Sequence, residues 1–307
     1  MISRPLPIFL LLIASSFLMC CTTIVDFDFA YDKPAIVAGS RINPDSLFTV
    51  ELSYAKYVLE QPRSYLPIEE AEVHVFEENS EIAVLPHLGN GIYSLSGVTP
   101  KAGKQYTIEI TLDGYEKVSA RTLVPEFSPI LRLISIKEVP NGHGGIAWEF
   151  TINITDTPGE TLYELSLIYI REFWDGHSHP PVVIDSGFVK SYIRTDDVVL
   201  GTDNTFRFSN SLLFDDHLIS DMTYTAKFTV SSFNIRAVPL VEVPVTIVLK
   251  SVSQDYYFYE KSLVKQLEFK GDPFAEPVIL YNNIESGIGI FSGYIQAVID
   301  TIVIINP

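Results

Sequence analysis

The chain has 307 residues, 47% of them apolar, with a formal net charge of −17. That length suits two domains of ordinary size. So negative a surface repels polyanions, which argues against nucleic acid as a partner. Both cysteines, Cys20 and Cys21, sit near the amino end, so the rest of the chain has no disulfide and no thiol nucleophile. Tyr (16) and Phe (19) are plentiful and Met (3) is scarce. With many Val, Ile and Thr this is a β-rich inventory.

Residues 1–21 read as a lipoprotein signal. Arg4 gives a positive start, and an apolar run from Leu6 ends at Cys20-Cys21. The run is about 14 residues, short of the roughly 20 that a membrane span requires. A lipid-carrying cysteine wants an aliphatic residue three before it and a small one just before it. Cys21 has Leu18 and Cys20 there; Cys20 has Phe17 and Met19. Cys21 is the expected acylation site and Cys20 the alternative. A plain cleaved signal and a retained span are the competing readings. Residues 22–33 form an acidic tether, with Asp26, Asp28 and Asp32 among aromatic residues.

Residues 34–127 carry short alternating strands. In 105–112, Tyr106, Ile108, Ile110 and Leu112 share one face, the pattern of a strand with one side on a core. Similar runs occur at 47–54, 72–77, 92–95 and 115–124. Gly89-Asn90-Gly91 marks a hairpin, because positive φ is easy there. This block is expected to be an Ig-like β-sandwich.

Residues 128–307 are expected to form a larger sandwich. Strands are predicted at 130–139, 146–155, 162–173, 182–189, 205–208, 224–230 and 241–249, with a helical turn at 212–219. One helix, about 252–268, is predicted from Val252, Tyr256, Tyr259, Leu263 and Leu267 recurring every three or four residues. Ser251 with Gln254 resembles its capping box, and Lys270-Gly271 with Pro273 its stop. Closing strands are predicted at 277–283, 289–300 and 301–305. The fold class is therefore mainly β, two tandem sandwiches with one helix near the carboxyl end.

No P-loop, dinucleotide fingerprint, His-Glu-x-x-His or Gly-x-Ser-x-Gly occurs. The loop holding Glu172, Trp174, Asp175, His177 and His179 has the groups for a metal site or a sugar-stacking platform. The plainer reading is a solvated loop. Asp196-Asp197 and Asp215-Asp216-His217 lack calcium-loop spacing and read as solvated turns. No cofactor, resident metal or catalysis is expected, although a carboxylate pair for glycan hydrolysis is assembled in space rather than in sequence.

Several segments resemble one family. They are Cys21-Thr-Thr-Ile-Val-Asp-Phe-Asp, Lys33-Pro-Ala-Ile-Val-Ala-Gly, Gly91-Ile-Tyr-Ser-Leu, Ala102-Gly-Lys-Gln-Tyr-Thr-Ile and Tyr256-Tyr-Phe-Tyr-Glu-Lys-Ser. The strongest lies near the end: Asp272, Pro273, Phe274 and Pro277, then Asn283, Gly287, Gly289, Phe291, Gly293 and Tyr294. The chain thus resembles the Bacteroidota outer-membrane lipoproteins grouped as domain of unknown function 4249 (DUF4249). Where others show Asn before Pro-Phe, this chain has Asp272. The resemblance implies outer-membrane attachment, on the periplasmic or extracellular face, and partnership with a TonB-dependent β-barrel receptor. It implies no catalytic residues. The three glycines let another backbone or a ligand approach closely. The terminal motif is expected to close the second sandwich and seat the helix.

The leading expectation is a binding or accessory subunit of a TonB-dependent nutrient-uptake system. A structural or adhesive surface module is the alternative, and a glycan-active enzyme the third reading.

Overall fold

Alternating apolar residues bury one face of each strand, and among the described residues two large cores satisfy that demand. A computed structural model describes residues 33–56, 66–141, 144–175, 183–201, 210–219, 222–231, 241–269, 276 and 278–305. In chain order the strands are β1 (Ile36–Ile42), β2 (Thr49–Tyr54), β3 (Glu72–Glu77), β4 (Ser80–Leu85), β5 (His87–Gly89), β6 (Ile92–Ser94), β7 (Gln105–Thr111) and β8 (Val118–Leu123). There follow β9 (Ile130–Pro140), β10 (Ile146–Thr155), β11 (Leu162–Trp174), β12 (Val183–Lys190), β13 (Leu212–Asp215), β14 (Thr223–Val230) and β15 (Val241–Val252). Helix α1 (Gln254–Glu268) and strand β16 (Ile288–Ile305) complete the described elements.

The first core lies between β1, β2 and β6 on one side and the sheet β4-β3-β7-β8 on the other. Phe48, Val50, Leu52, Val73, Val75, Tyr106, Ile108 and Ile110 are fully buried there. Full burial of each large apolar side chain contributes about 1.5–3 kcal/mol. The second core packs β11 and β15 against the sheet β14-β10-β9. Phe150 and Phe228, cross-strand neighbours on β10 and β14, stack at 5.1 Å. The fold is mainly β. Gly89, Asn90 and Gly91 all take positive φ, as the hairpin reading required.

Strand β16 is the departure. It runs 18 residues without a break. Ile288–Gly293 pairs in parallel with β1, and Tyr294–Ile305 pairs antiparallel with β15. One sheet therefore passes through both cores, in the order β12-β11-β15-β16-β1-β2-β6-β5 with β13 beside β11. Residues from beyond the boundary expected at 127/128 contribute to the first core. Ile284 and Phe291 belong to the first core, Phe291 sitting 6.0 Å from Phe48. The terminal motif was expected to close the second sandwich and seat the helix. Its close parallel run along β1 puts its first half in the first.

Three further expectations change. Residues 212–219 begin as strand β13, because Leu212 and Phe214 reach the second core while the backbone pairs with β11; a turn follows. The helix caps on Ser253, whose hydroxyl accepts from the Tyr256 N–H, while Ser251 lies in β15 between Tyr163 and Ile295. Only the first turns of α1 meet the sheet, so Tyr256 and Tyr257 are buried while Leu267 is 59% exposed. Residues 278–284 are irregular where a strand was expected. The predicted strand at 205–208 and the stop at Lys270-Gly271-Pro273 lie outside the described residues.

Glycines make the crossing of β16 possible. Gly289 has φ +130°, and a Cβ there would collide with the Ala38 carbonyl of β1. A Cβ on Gly293 would lie 2.6 Å from the Leu123 carbonyl oxygen of β8. Gly289→Ala should destabilise the fold by roughly 3 kcal/mol or more, from overpacking plus backbone strain. Gly187→Ala, with open space around its position, should change stability by less than about 1 kcal/mol. Urea unfolding of both variants measures the contrast.

Candidate functional site

Glu164 stands on β11, where alternation turns it away from the second core and beneath α1. It is fully buried, and a buried carboxylate must find partners. Lys190 Nζ donates to Oε1 at 2.7 Å. Lys250 Nζ, directly opposite in register on β15, donates to Oε2 at 2.8 Å. The Tyr256 hydroxyl, descending from α1, donates to Oε2 at 2.7 Å and accepts from Lys250 Nζ at 2.8 Å. Burial by itself would raise the Glu164 pKa. The two ammonium groups and their hydrogen bonds outweigh it and pull the value from 4.5 to about 2. Burial, and then the Glu164 charge, raise the Tyr256 phenol, which stays neutral.

The cluster extends outward. Lys250 Nζ lies 4.7 Å from the Tyr294 ring centroid and 5.1 Å from that of Tyr256. Tyr294 accepts from Asn43 Nδ2 at 2.7 Å, and Arg41 on β1 pairs with Glu260 of α1 at 2.8 Å. Helix α1 is thereby bonded to β1, β11 and β15.

The amino end of α1 is held separately. The Ser253 hydroxyl accepts from the Gly293 N–H as well as from Tyr256, and the Ser253 N–H donates to the Gly293 carbonyl. Asp255 accepts from the Tyr281 hydroxyl at 2.8 Å and from Thr122 Oγ1 at 3.2 Å. The Asn283 side-chain amide takes both backbone groups of Phe291, accepting its N–H at 2.9 Å and donating to its carbonyl at 2.7 Å. It thus stands in for a missing strand partner.

A cleft of about 970 Å³ opens where these parts meet. One wall is the end of β8 with Pro125–Phe127. The other is the turn 157–162 with Asp215–His217, and the first turn of α1 completes it. Such junctions are common ligand sites. Phe127 and Phe258 are 42% and 40% exposed at its rim. Asp216 is buried and accepts from the Thr161 N–H at 2.6 Å. Burial raises the Asp216 carboxyl above its usual range, as do the charges of Asp156 and Asp215. Ser251 forms part of the lining and is fully buried.

Of the residues singled out from sequence, Asp215, Asp216 and His217 line the cleft, Asp216 buried where a solvated turn was expected, and the others fall elsewhere or into scaffolding. Glu172 and Trp174 occupy the last rungs of β11, opposite Ser186 and Val183 of β12, with Asp175 next. His177 and His179 lie outside the described residues, as do Cys20, Cys21, Asp272, Pro273, Phe274 and Pro277. Among the described residues no group of three or more His, Cys, Asp or Glu is placed to hold a metal ion. Asp197 caps a turn, accepting from the Val199 and Leu200 N–H groups. Asp215 accepts from the His217 N–H. Gly287, Gly289, Phe291, Gly293 and Tyr294 build the crossing and the helix seat. Glu164 and Lys250 went unremarked in the sequence. The available signal was a charge of each sign interrupting two long apolar strands.

The Glu164 cluster sets an acid dependence. Its folded pKa is lowered, so its stabilisation is complete above the unfolded value of 4.5 and is lost as pH falls toward 2. Glu164→Gln should cost about 3 kcal/mol at pH 7, by leaving two cations without their counter-charge, and much less at pH 2.5. Urea unfolding at both pH values checks this.

Residues 22–299 match the family model described as a domain of unknown function, DUF4249. A comparison with curated proteins returned no match. Among solved structures, a "Putative membrane anchored protein" from Corynebacterium diphtheriae aligns at 10% identity and a TM-score of 0.20. The alignment covers 72% of this chain and 55% of that one. So slight a likeness carries no argument about function. The family model spans nearly the whole chain, in a range that takes in the terminal motif: the chain belongs to the DUF4249 family.

Proposed function

We propose that this protein is a binding subunit rather than an enzyme, tethered by lipid at Cys21 to the outer membrane and serving a TonB-dependent β-barrel receptor. The observation that carries the binding reading is the cleft between the two cores, large enough for a small organic ligand or a short peptide. Its inner carboxylates are occupied with scaffolding. Asp216 and Asp215 accept backbone N–H groups, and Asp255 is held by Tyr281 and Thr122. Groups so engaged shape a site better than they shuttle protons. The anchor rests on the apolar run ending at Cys20-Cys21, and the barrel partner on the family resemblance.

A structural role on the cell surface is the second reading. The sheet shared by both cores favours it, since it stiffens the body into a spacer.

Radiolabelled palmitate should attach to the wild-type protein and fail on Cys21→Ala. Label lost only in Cys20→Ala would move the anchor by one residue. No label, with both thiols free in the mature product, would sink the anchor. Affinity purification from outer membranes should bring down a large β-barrel. Its absence would leave the spacer reading.

A further inference from the structure

The cleft is lopsided in charge. Glu126, Glu160, Asp215, Asp216 and Asp255 border it, against a single guanidinium, Arg121. An anionic ligand entering this space meets repulsion, and a cation is drawn in. The half-exposed rings of Phe127 and Phe258 add apolar surface, and an aromatic face also attracts a cation. Acidity and two rings would by themselves describe many surfaces.

A second observation points inward. Two fully buried serine hydroxyls, those of Ser251 and Ser292, have no hydrogen-bond partner among the described residues. Of these only Ser251 lines the cleft. A buried hydroxyl without a partner is costly, and a ligand bearing N–H donors would satisfy it. An ammonium has three donors and no acceptor, so a hydroxyl oxygen beside carboxylates suits it. A carbohydrate would use the rings and the hydroxyl but gain nothing from the excess negative charge. Asp216, its proton affinity increased by burial and by Asp156 and Asp215, would be relieved by a cation alongside.

We infer that the cleft selects a ligand carrying a primary ammonium on an apolar stem, supplied either as a free polyamine or as the lysine side chains of a peptide. This rests on the binding reading above and specifies its ligand.

The full mature protein should be titrated calorimetrically with spermidine, trilysine, maltohexaose and triglutamate. Spermidine or trilysine should bind and triglutamate should not. Tighter binding of spermidine assigns the free amine as the source; tighter binding of trilysine assigns the peptide. Glu126→Gln combined with Glu160→Gln, two exposed positions, should weaken that binding more than tenfold. Ser251→Ala should weaken it about fivefold without lowering Tm, since its hydroxyl has no bond within the fold to lose. A merely structural serine would leave the affinity unchanged. Affinity unaltered in both variants overturns the inference, as does binding of maltohexaose with neither ammonium probe. If no ammonium binds while the β-barrel still co-purifies, this inference falls alone. Loss of both ligand and barrel takes the binding reading with it.

Discussion

A carboxylate with no access to water governs the middle of this molecule. Glu164 cannot stay ionised beneath α1 unless two cations and a hydroxyl reach it, and each comes from a different element. Lys250 is supplied by register on β15, Lys190 by β12 and Tyr256 by the helix. Burying such a group yields little net stability over a well-packed apolar substitute. What it imposes is geometry. The helix can sit in one rotation and at one height, because a shift of an ångström would strand a charge. Since the first turn of that helix is also a wall of the cleft, the shape of the cleft follows from the Glu164 cluster.

The second constraint is steric. Strand β16 must change partners from β1 to β15 while passing close to β8, and only residues without a Cβ allow it. Asn283 solves the associated backbone problem. While β16 is paired with β1 on one edge and β15 has not yet taken up the other, the side-chain amide pairs with Phe291 as a strand would. The glycines and the asparagine of the terminal motif thus act on one task, the joining of two cores by a single strand. The motif needs no ligand to explain it.

Alternation made most of the strands legible. Tyr106, Ile108 and Ile110 read as one buried face and are one, and the strand expected at 146–155 is β10. Period two tells which face is buried but not which strand lies alongside. The parallel pairing of β16 with β1 joins the two ends of the folded body, and no local pattern encodes it. The same limit hid the cleft, whose walls come from five separate stretches of chain. The short apolar run in 212–219 fits either period, and pairing with β11 decides for strand. The helix was found but started too early, since Val252 shares its apolar cluster while belonging to β15. Charge was the neglected signal. Glu164 and Lys250 each interrupt an apolar strand, and opposite charges in such places must meet.

Lys250 and Ser251 are consecutive on β15, and successive side chains of a strand point to opposite faces. Lys250 lies on the helix side, in a cluster where the ion pair and the phenol are all matched. Ser251 lies on the face shared with Leu249, at the end of the second core where the cleft begins. Two neighbouring polar residues, Lys250 partly buried and Ser251 fully so, therefore meet opposite fates: one saturated, the other without a partner among the described residues. Saturation on one face explains why the helix stays put. An unmet hydroxyl on the other costs stability, and such a cost is tolerated where a group from outside the chain can meet it. Held together, the two faces describe a cleft wall fixed by the Glu164 cluster, with an unmatched hydroxyl buried within it.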